Sequence, residues 1–174
     1  MEWNSQDPAA AYDCPSHTGA NCLVSASDGD QVNFYALNPL GGRGKLVVSM
    51  KLAKPEYLTW SLSPDGSRIA MTSDQIRGKM RILDVPSGNS RDLDLPAAWN
   101  LWSYSWEADG KSLVLAAQTT QYFLARLALD GKTQVLLSKN MNNWVGDPFA
   151  SPDGRHLAFV QNTWESNAWM LQDF

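Results

Sequence analysis

The residues of this sequence best suited to binding a ligand are aromatic rings and amides that recur at a fixed interval. Trp99 and Asn143 lie 44 residues apart, as do Asn100 and Trp144. Rings beside a few hydrogen-bonding groups are the chemistry of a peptide or carbohydrate contact. Regularly spaced rings such as Trp99, Trp102 and Trp144 are also typical of core residues wedged between structural modules, and both interpretations stay open. The candidate binding set is Glu56, Trp99, Asn100, Asn143, Trp144 and Trp164.

Residues that could catalyse a reaction or hold a metal ion form no complete set. His17 and His156 have no His or Cys partner at ligand spacing. The chain has no G-x-S-x-G nucleophile elbow, and no base can be placed beside a serine. The glycine-rich stretch 41–45 lacks the first Gly and the closing Ser or Thr of a phosphate loop. We therefore expect no metal, no cofactor and no enzymatic activity.

Cys14 and Cys22 are the two cysteines of the chain. If a hairpin joins them, they face each other on adjacent strands, where a disulfide is geometrically feasible. Two thiols at this spacing also occur by chance in cytosolic proteins, so both interpretations stay open. A bridge would indicate an oxidising compartment.

A repeated turn determines which elements position these residues. Three Asp-Gly pairs lie 44 residues apart, at Asp65-Gly66, Asp109-Gly110 and Asp153-Gly154. Asp bonds its own backbone two residues on and Gly accepts a positive φ, so each pair predicts a hairpin turn between apolar strands. A strand-rich period of roughly 40 to 45 residues is typical of β-propeller blades, each made of four antiparallel strands.

The segment Leu62-Ser63-Pro64-Asp65-Gly66-Ser67-Arg68-Ile69-Ala70, echoed at 151–158, resembles the repeat of TolB-type, WD-repeat-like bacterial β-propellers. The resemblance covers about residues 20–174. It implies an all-β fold of β-propeller blades, each a four-stranded antiparallel meander. It implies little about function, because such propellers serve many unrelated tasks.

We divide the chain into an N-terminal segment, residues 1–13, and four blades at about 14–52, 57–96, 101–139 and 144–174. Residues 1–13 are either an edge strand or the remnant of a preceding blade. The last blade has only three predicted strands. Either residues 1–13 complete it and close a small ring, or the chain is the C-terminal portion of a larger propeller. We favour the second, which leaves blade edges open for self-association.

The loops of a propeller are divided between its two faces. Turns from strand one to two and from three to four lie on one face, hereafter the turn face. Loops from strand two to three, and from blade to blade, lie on the other, hereafter the loop face. The Asp-Gly turns share the turn face and are too short to form a pocket. We therefore expect ligands on the loop face, which carries the candidate binding set.

Charge and hydropathy exclude some classes of partner. The formal net charge is −4, which supplies no basic surface and argues against nucleic acid as a direct partner. No run of 18 apolar residues exists, so we expect no membrane insertion by this segment. The first residues include Glu2 and Asp7 and lack the basic start and apolar run of a signal peptide.

Two functions from different classes fit these residues. In the first, the protein is a non-catalytic sensor or docking surface for a protein, a peptide or a carbohydrate. Residues 167–174 resemble the C-terminus of propellers appended to bacterial winged-helix regulators and serine/threonine kinases, which implies an extracytoplasmic, periplasmic position. In the second, it is the propeller lobe of a prolyl-oligopeptidase-type peptidase. A TolB-like periplasmic component is a third alternative.

Overall fold

The computed structural model of this 174-residue chain describes residues 11–16, 21–38, 40–52, 55–163 and 165. These residues form four antiparallel sheets in a propeller-like arrangement, so the predicted all-β fold class is confirmed. One turn of 3-10 helix, Asp74–Ile76, lies between two strands of the second sheet. Across the described ranges, no helix is long and apolar enough to span a membrane.

Each of the first three sheets is a four-stranded meander. The strands of sheet one are β1 (Tyr12–Asp13), β2 (Cys22–Asp28), β3 (Gln31–Asn38) and β4 (Gly42–Lys51). Sheet two has β5 (Leu58–Leu62), β6 (Arg68–Ser73), β7 (Lys79–Asp84) and β8 (Ser90–Asp94). Sheet three has β9 (Asn100–Trp106), β10 (Ser112–Gln118), β11 (Tyr122–Ala128) and β12 (Thr133–Lys139).

Sheet four is described for two strands, β13 (Asn143–Ala150) and β14 (Leu157–Thr163). The third strand predicted for this blade lies outside the described residues, as does Trp164. β13 contains a bulge between Gly146 and Phe149, where Asp147 has a φ of +46°. The bulge interrupts the pairing of β13 with β14, and Phe149, which follows it, is exposed.

Sheet one begins at Tyr12, two residues before the predicted blade boundary at 14. Asp13 is fixed by its contact with the next sheet, because its Oδ2 accepts a hydrogen bond of 2.8 Å from the Leu62 N–H. A disulfide joins Cys14 to Cys22 at the end of β1, with Cα atoms 4.1 Å apart. In sheet one the disulfide therefore occupies the place that an Asp-Gly turn has in the later sheets.

The three Asp-Gly pairs form the same bend at the same place in sheets two, three and four. Gly66, Gly110 and Gly154 have φ values of +73°, +62° and +69°, a conformation that other residues rarely adopt. In each bend the Gly N–H donates to the carbonyl three residues earlier, at 2.8 to 2.9 Å. These bends connect the innermost strand of each sheet to the next strand.

The hydrophobic core lies between successive sheets. Sheets one and two enclose Phe34, Ile69 and Met71, all with no exposed surface. Sheets two and three enclose a second cluster that includes Trp106, and sheets three and four a third that includes Val145. The middle strands pack against neighbouring sheets on both faces. The residues of β10 are therefore buried in a continuous run rather than at every second position.

Hydrogen bonds from aromatic side chains of the innermost strands connect sheets one, two and three. The Trp106 Nε1–H donates to the Ser61 carbonyl at 3.0 Å, and the Tyr104 hydroxyl donates to the Thr59 carbonyl at 2.6 Å. One sheet earlier, the Trp60 Nε1–H donates to Ser25 Oγ at 2.8 Å. These bonds hold sheet two in place against sheets one and three, and a binding surface between sheets needs that rigidity.

Candidate functional site

A cleft of about 440 Å³ opens on the loop face between sheets two and three. Its aromatic lining includes Tyr57, which is half exposed, and Trp99, which is partly buried. Thr59, Thr72 and Asn100 add hydroxyl and amide groups. The charged residues of its lining are Arg77 and Lys79, both exposed. Apolar rings with a few polar groups are the ordinary composition of a ligand site.

The wall of this cleft is built by the 3-10 turn and by the loop that enters sheet two. Asp74 Oδ1 accepts hydrogen bonds from the backbone N–H groups of Glu56 and Tyr57, at 2.9 and 3.5 Å. Ser73 caps the turn, because its Oγ accepts a bond from the Gln75 N–H. Ile76 anchors the turn in the core with 5% of its surface exposed. The two loops are therefore held together before any ligand arrives.

The structure divides the predicted binding set between two junctions. Trp99 and Asn100 lie in the loop-face cleft between sheets two and three, and Glu56 adjoins it through its bond to Asp74. Asn143 and Trp144 lie instead at the start of β13, at the junction of sheets three and four. Trp99 also packs edge-on against Phe123, with ring centroids 4.9 Å apart, so it serves the core as well as the cleft.

Trp144 is a packing residue in this structure. Its ring stacks on Trp102, with centroids 6.2 Å apart and an interplanar angle of 24°. It also folds back over Gly146, where a Cβ atom would meet Cη2 and Cζ2 of the ring. Asn143 is similarly engaged, since its Oδ1 accepts a 2.9 Å bond from Thr163 Oγ1. These contacts favour the core interpretation of Trp144 that the sequence left open.

The turn face also has clefts, contrary to the expectation that its short turns form no pocket. One, of about 600 Å³, lies between sheets three and four, and another, of about 340 Å³, lies among the innermost strands. The first forms because the turns of two neighbouring sheets together line a space that neither encloses alone. Its wall contains a bidentate ion pair, in which Arg126 Nη2 and Nε contact the Glu107 carboxylate at 2.7 and 2.9 Å.

The turn carboxylates are structural. Burial on its own raises the pKa of Asp65, but hydrogen bonds from the Ser63 and Ser67 side chains and the Ser67 backbone outweigh it and lower the pKa to about 2. The pKa of Asp153 is also lowered, first by a hydrogen bond from Ser151. These carboxylates are therefore ionised and occupied by their own turns. The described residues contain no group of His, Cys, Asp and Glu placed to hold a metal ion.

Two cationic residues of the loop-face cleft, Arg77 and Lys79, were absent from the predicted set. They lie at the connection between β6 and β7. Connections from strand two to strand three are expected on the loop face, but the sequence gave no reason to select individual side chains from them. Gly78 brings the two cations to one cleft, because its φ of +70° turns the chain between Arg77 and Lys79. A single Gly between two cations, at Arg77-Gly78-Lys79, is the sequence feature that could have indicated this pair.

Comparisons with known proteins connect this fold to several kinds of propeller. No protein-family model matches the chain. Among curated proteins, the chain is similar to a Bacillus subtilis (strain 168) protein named uncharacterized peptidase YuxL, with 26% identity over 145 residues. That match covers 83% of this chain and 20% of the relative.

Three solved structures share the fold at identities that carry no further conclusion. TolB from Acinetobacter baumannii has a TM-score of 0.68 and 17% identity, over 94% of this chain and 40% of that one. An oligogalacturonate lyase in complex with manganese has a TM-score of 0.63 and 20% identity, over 87% and 45%. A prolyl endopeptidase has a TM-score of 0.61 and 15% identity, over 88% and 26%. The chain spans less than half of each.

These comparisons correct the expectation that the protein is not an enzyme. The curated relative is named a peptidase, and the structural neighbours include a prolyl endopeptidase and an oligogalacturonate lyase. The names point, at low identity, to enzymatic relatives. The expectation was wrong because it judged only the catalytic motifs of this chain, and an enzyme that contains a propeller can carry its catalytic residues in another part of the protein.

Proposed function

We propose that this chain is the polypeptide-binding propeller part of a larger peptidase of the prolyl-oligopeptidase type, and that it is one portion of a larger propeller. The observation that carries the proposal is the loop-face cleft between sheets two and three. It combines the rings of Tyr57 and Trp99 with the Asn100 amide and the hydroxyls of Thr59 and Thr72. A polypeptide offers the matching groups, since its side chains pack on rings and its backbone bonds amides and hydroxyls.

The comparisons support a peptidase over the other enzyme classes. The curated relative matched through its sequence is named a peptidase, and a prolyl endopeptidase shares the fold. At 15% and 20% identity, the prolyl endopeptidase and the oligogalacturonate lyase share the fold alone, so the preference for a peptidase depends on the curated relative. Because the chain spans only a fifth of the curated relative, the catalytic residues of such a peptidase would lie in another part of the protein.

A binding measurement on the purified chain tests the cleft. A fluorescein-labelled unfolded polypeptide, reduced and carboxymethylated α-lactalbumin, is titrated with the chain and followed by fluorescence anisotropy. Asn100→Ala and Tyr57→Ala each remove a cleft group from an exposed position. We expect each to weaken binding about three- to tenfold. Lys132→Ala, on an exposed turn-face loop, is the matched control and should bind as the unaltered chain does.

Two results would contradict the proposal. Absence of polypeptide binding at high concentrations of folded protein would remove the cleft as a polypeptide site. Equal losses in Lys132→Ala and Asn100→Ala would show that binding is unrelated to the cleft. The surrounding reading frame tests the peptidase context separately, because a G-x-S-x-G hydrolase domain encoded in frame with this chain is expected.

A second candidate is a sensor or docking module of a bacterial signalling protein, or a TolB-like component, outside the cytoplasm. The TM-score of 0.68 with TolB and the Cys14–Cys22 disulfide favour this candidate, because disulfides persist in oxidising compartments. A winged-helix or kinase domain in frame would support it over the peptidase. The partner in that case is a folded protein or a peptide rather than a nucleic acid.

A further inference from the structure

We infer that the loop-face cleft selects polypeptide segments that carry a carboxylate, either on an Asp or Glu side chain or at a chain terminus. The inference rests on the proposed polypeptide-binding function and adds the chemical class of the bound segment. It depends on the charge of the cleft lining, on the availability of two cations and on the rigidity of the loop that presents them.

The cleft lining is cationic although the whole chain is acidic. Asp and Glu outnumber Lys and Arg by 18 to 14 in the sequence, yet the charged residues that line this cleft are Arg77 and Lys79. Two carboxylates adjoin this lining: that of Asp74 is occupied by the backbone N–H groups of Glu56 and Tyr57, and that of Asp94 lies 3.6 Å from the Lys79 ammonium. A local cationic surface on an acidic protein favours an anionic ligand over a neutral or basic one.

Both cations have hydrogen-bonding capacity left for a ligand. Arg77 uses its Nε–H on the Asp74 carbonyl at 3.1 Å, and within the described ranges no ion pair involves its guanidinium. The Lys79 ammonium lies 3.6 Å from Asp94 in a pair whose side chains are 46% and 87% exposed. An exposed pair of this kind is weak and exchanges readily with a second carboxylate.

The loop that presents the cations is rigid. The bond from Arg77 Nε to the Asp74 carbonyl orients the guanidinium, and buried Ile76 fixes the turn between them. Lys79 is the first residue of β7, so its backbone belongs to the sheet. A site that is held in place before binding loses little conformational entropy when the ligand arrives.

The neighbouring rings favour a peptide carboxylate over an isolated anion. Tyr57 and Trp99 place apolar surface in the same cleft, which a free phosphate or carboxylate ion would leave uncovered. A peptide that carries an aromatic or proline residue beside the acid covers both parts of the cleft at once. The guanidinium of Arg77 suits a carboxylate, because its N–H groups pair with both oxygens.

Four labelled hexapeptides of one sequence test the inference by fluorescence anisotropy. The sequence has a proline and a phenylalanine followed by glutamate, with an amidated C-terminus. The second peptide replaces glutamate by glutamine, and the third replaces it by lysine. The fourth has glutamine but a free C-terminal carboxylate. We expect the glutamate or the free-acid peptide to bind about five- to tenfold more tightly than the neutral one, and the lysine peptide most weakly.

Substitutions in the cleft identify the groups responsible. Arg77→Gln and Lys79→Gln each remove one cation from an exposed position and should reduce the preference for the acidic peptide about threefold or more. The double variant should bind acidic and neutral peptides equally. Arg155→Gln, an exposed residue in a turn-face cleft, is the control and should keep the full preference.

The outcomes separate the two proposals. If all four peptides bind equally, the carboxylate preference is overturned while polypeptide binding stands. If none binds, both this inference and the polypeptide-binding function fail. If an oligosaccharide that carries carboxylates, such as trigalacturonate, displaces the acidic peptide while no peptide exceeds its neutral form, the cleft is a sugar-acid site and the inference is overturned.

Discussion

Substitution of Gly146 by Ala tests most sharply how the junction of sheets three and four is packed. The Trp144 ring lies directly over the backbone of Gly146, so an added Cβ would meet Cη2 and Cζ2 and lie 3.1 Å from Cζ3. The ring cannot move away freely, because it also stacks on Trp102. Overpacking of this kind typically costs about 1 to 3 kcal/mol, which is the expected loss in the free energy of unfolding.

A double-mutant cycle isolates that clash. Trp144→Ala alone loses the stacking contact and should cost about 2 kcal/mol, since the ring is only partly buried. In that background the methyl group at position 146 has no ring to meet. Gly146→Ala should then cost less than about 0.5 kcal/mol, which leaves a coupling energy of at least about 0.5 kcal/mol and up to about 3 kcal/mol between the two positions.

Urea unfolding followed by circular dichroism at 25 °C measures all four proteins. Thermal unfolding of the same proteins is a second measurement, in which 1 kcal/mol corresponds to a change in Tm of about 2 to 4 °C for a chain of this length. The reasoning is refuted if Gly146→Ala is neutral in the unaltered protein. It is also refuted if Gly146→Ala costs the same with and without the Trp144 ring.

Three further predictions follow from other contacts. In urea unfolding, Trp106→Phe should lower the free energy of unfolding by about 1 kcal/mol more than Trp102→Phe does. The reason is that the Trp106 Nε1–H donates to the Ser61 carbonyl, whereas Trp102 Nε1 is buried without a partner among the described residues. Equal losses would contradict this. Reduction of the Cys14–Cys22 disulfide should lower the free energy of unfolding by about 2 kcal/mol. It should also speed hydrogen exchange at the Leu62 N–H, because this group donates to Asp13 in β1. Unchanged exchange at Leu62 would show that the disulfide does not hold β1 in place. The pKa of Asp65 is lowered from its ordinary 3.8 to about 2, so its contribution to stability is present above pH 3.8 and is lost as the pH falls toward 2. Asp65→Asn should therefore flatten the pH dependence of Tm between pH 3.8 and 2. An unchanged pH dependence in this variant would show that other groups cause it.

The repeat in the sequence predicted the fold because its signal is local. An Asp-Gly pair specifies a turn through its own backbone preferences, and three pairs 44 residues apart specify three equivalent turns. Asp65, Asp109 and Asp153 lie in such turns in the structure, each accepting a bond from the backbone N–H two residues later. Each turn was predicted from a few neighbouring residues, and the regular spacing of the three turns predicted the blades.

The site was harder to predict because it depends on contacts between distant residues. Asp74 holds the loop before sheet two in place by accepting hydrogen bonds from the Tyr57 and Glu56 N–H groups, 17 and 18 residues earlier. No local sequence pattern predicts these bonds. Trp99 and Trp144 occupy similar positions in the repeat, yet Trp99 lines the cleft while Trp144 covers Gly146. The difference arises from a glycine and a bulge in β13, whose effect on ring placement is visible only in three dimensions.

The chemical-shift map of the chain with a bound polypeptide tests the central claim most directly. The probe is the same reduced and carboxymethylated α-lactalbumin, added to the isotope-labelled chain and followed by two-dimensional amide and indole NMR. We predict that the shifts concentrate on Tyr57, Thr72, Arg77, Gly78 and Asn100 and on the Trp99 indole, all in the loop-face cleft. Shifts confined to the turn-face residues Glu107, Arg126 and His156, or absent throughout, would contradict the account.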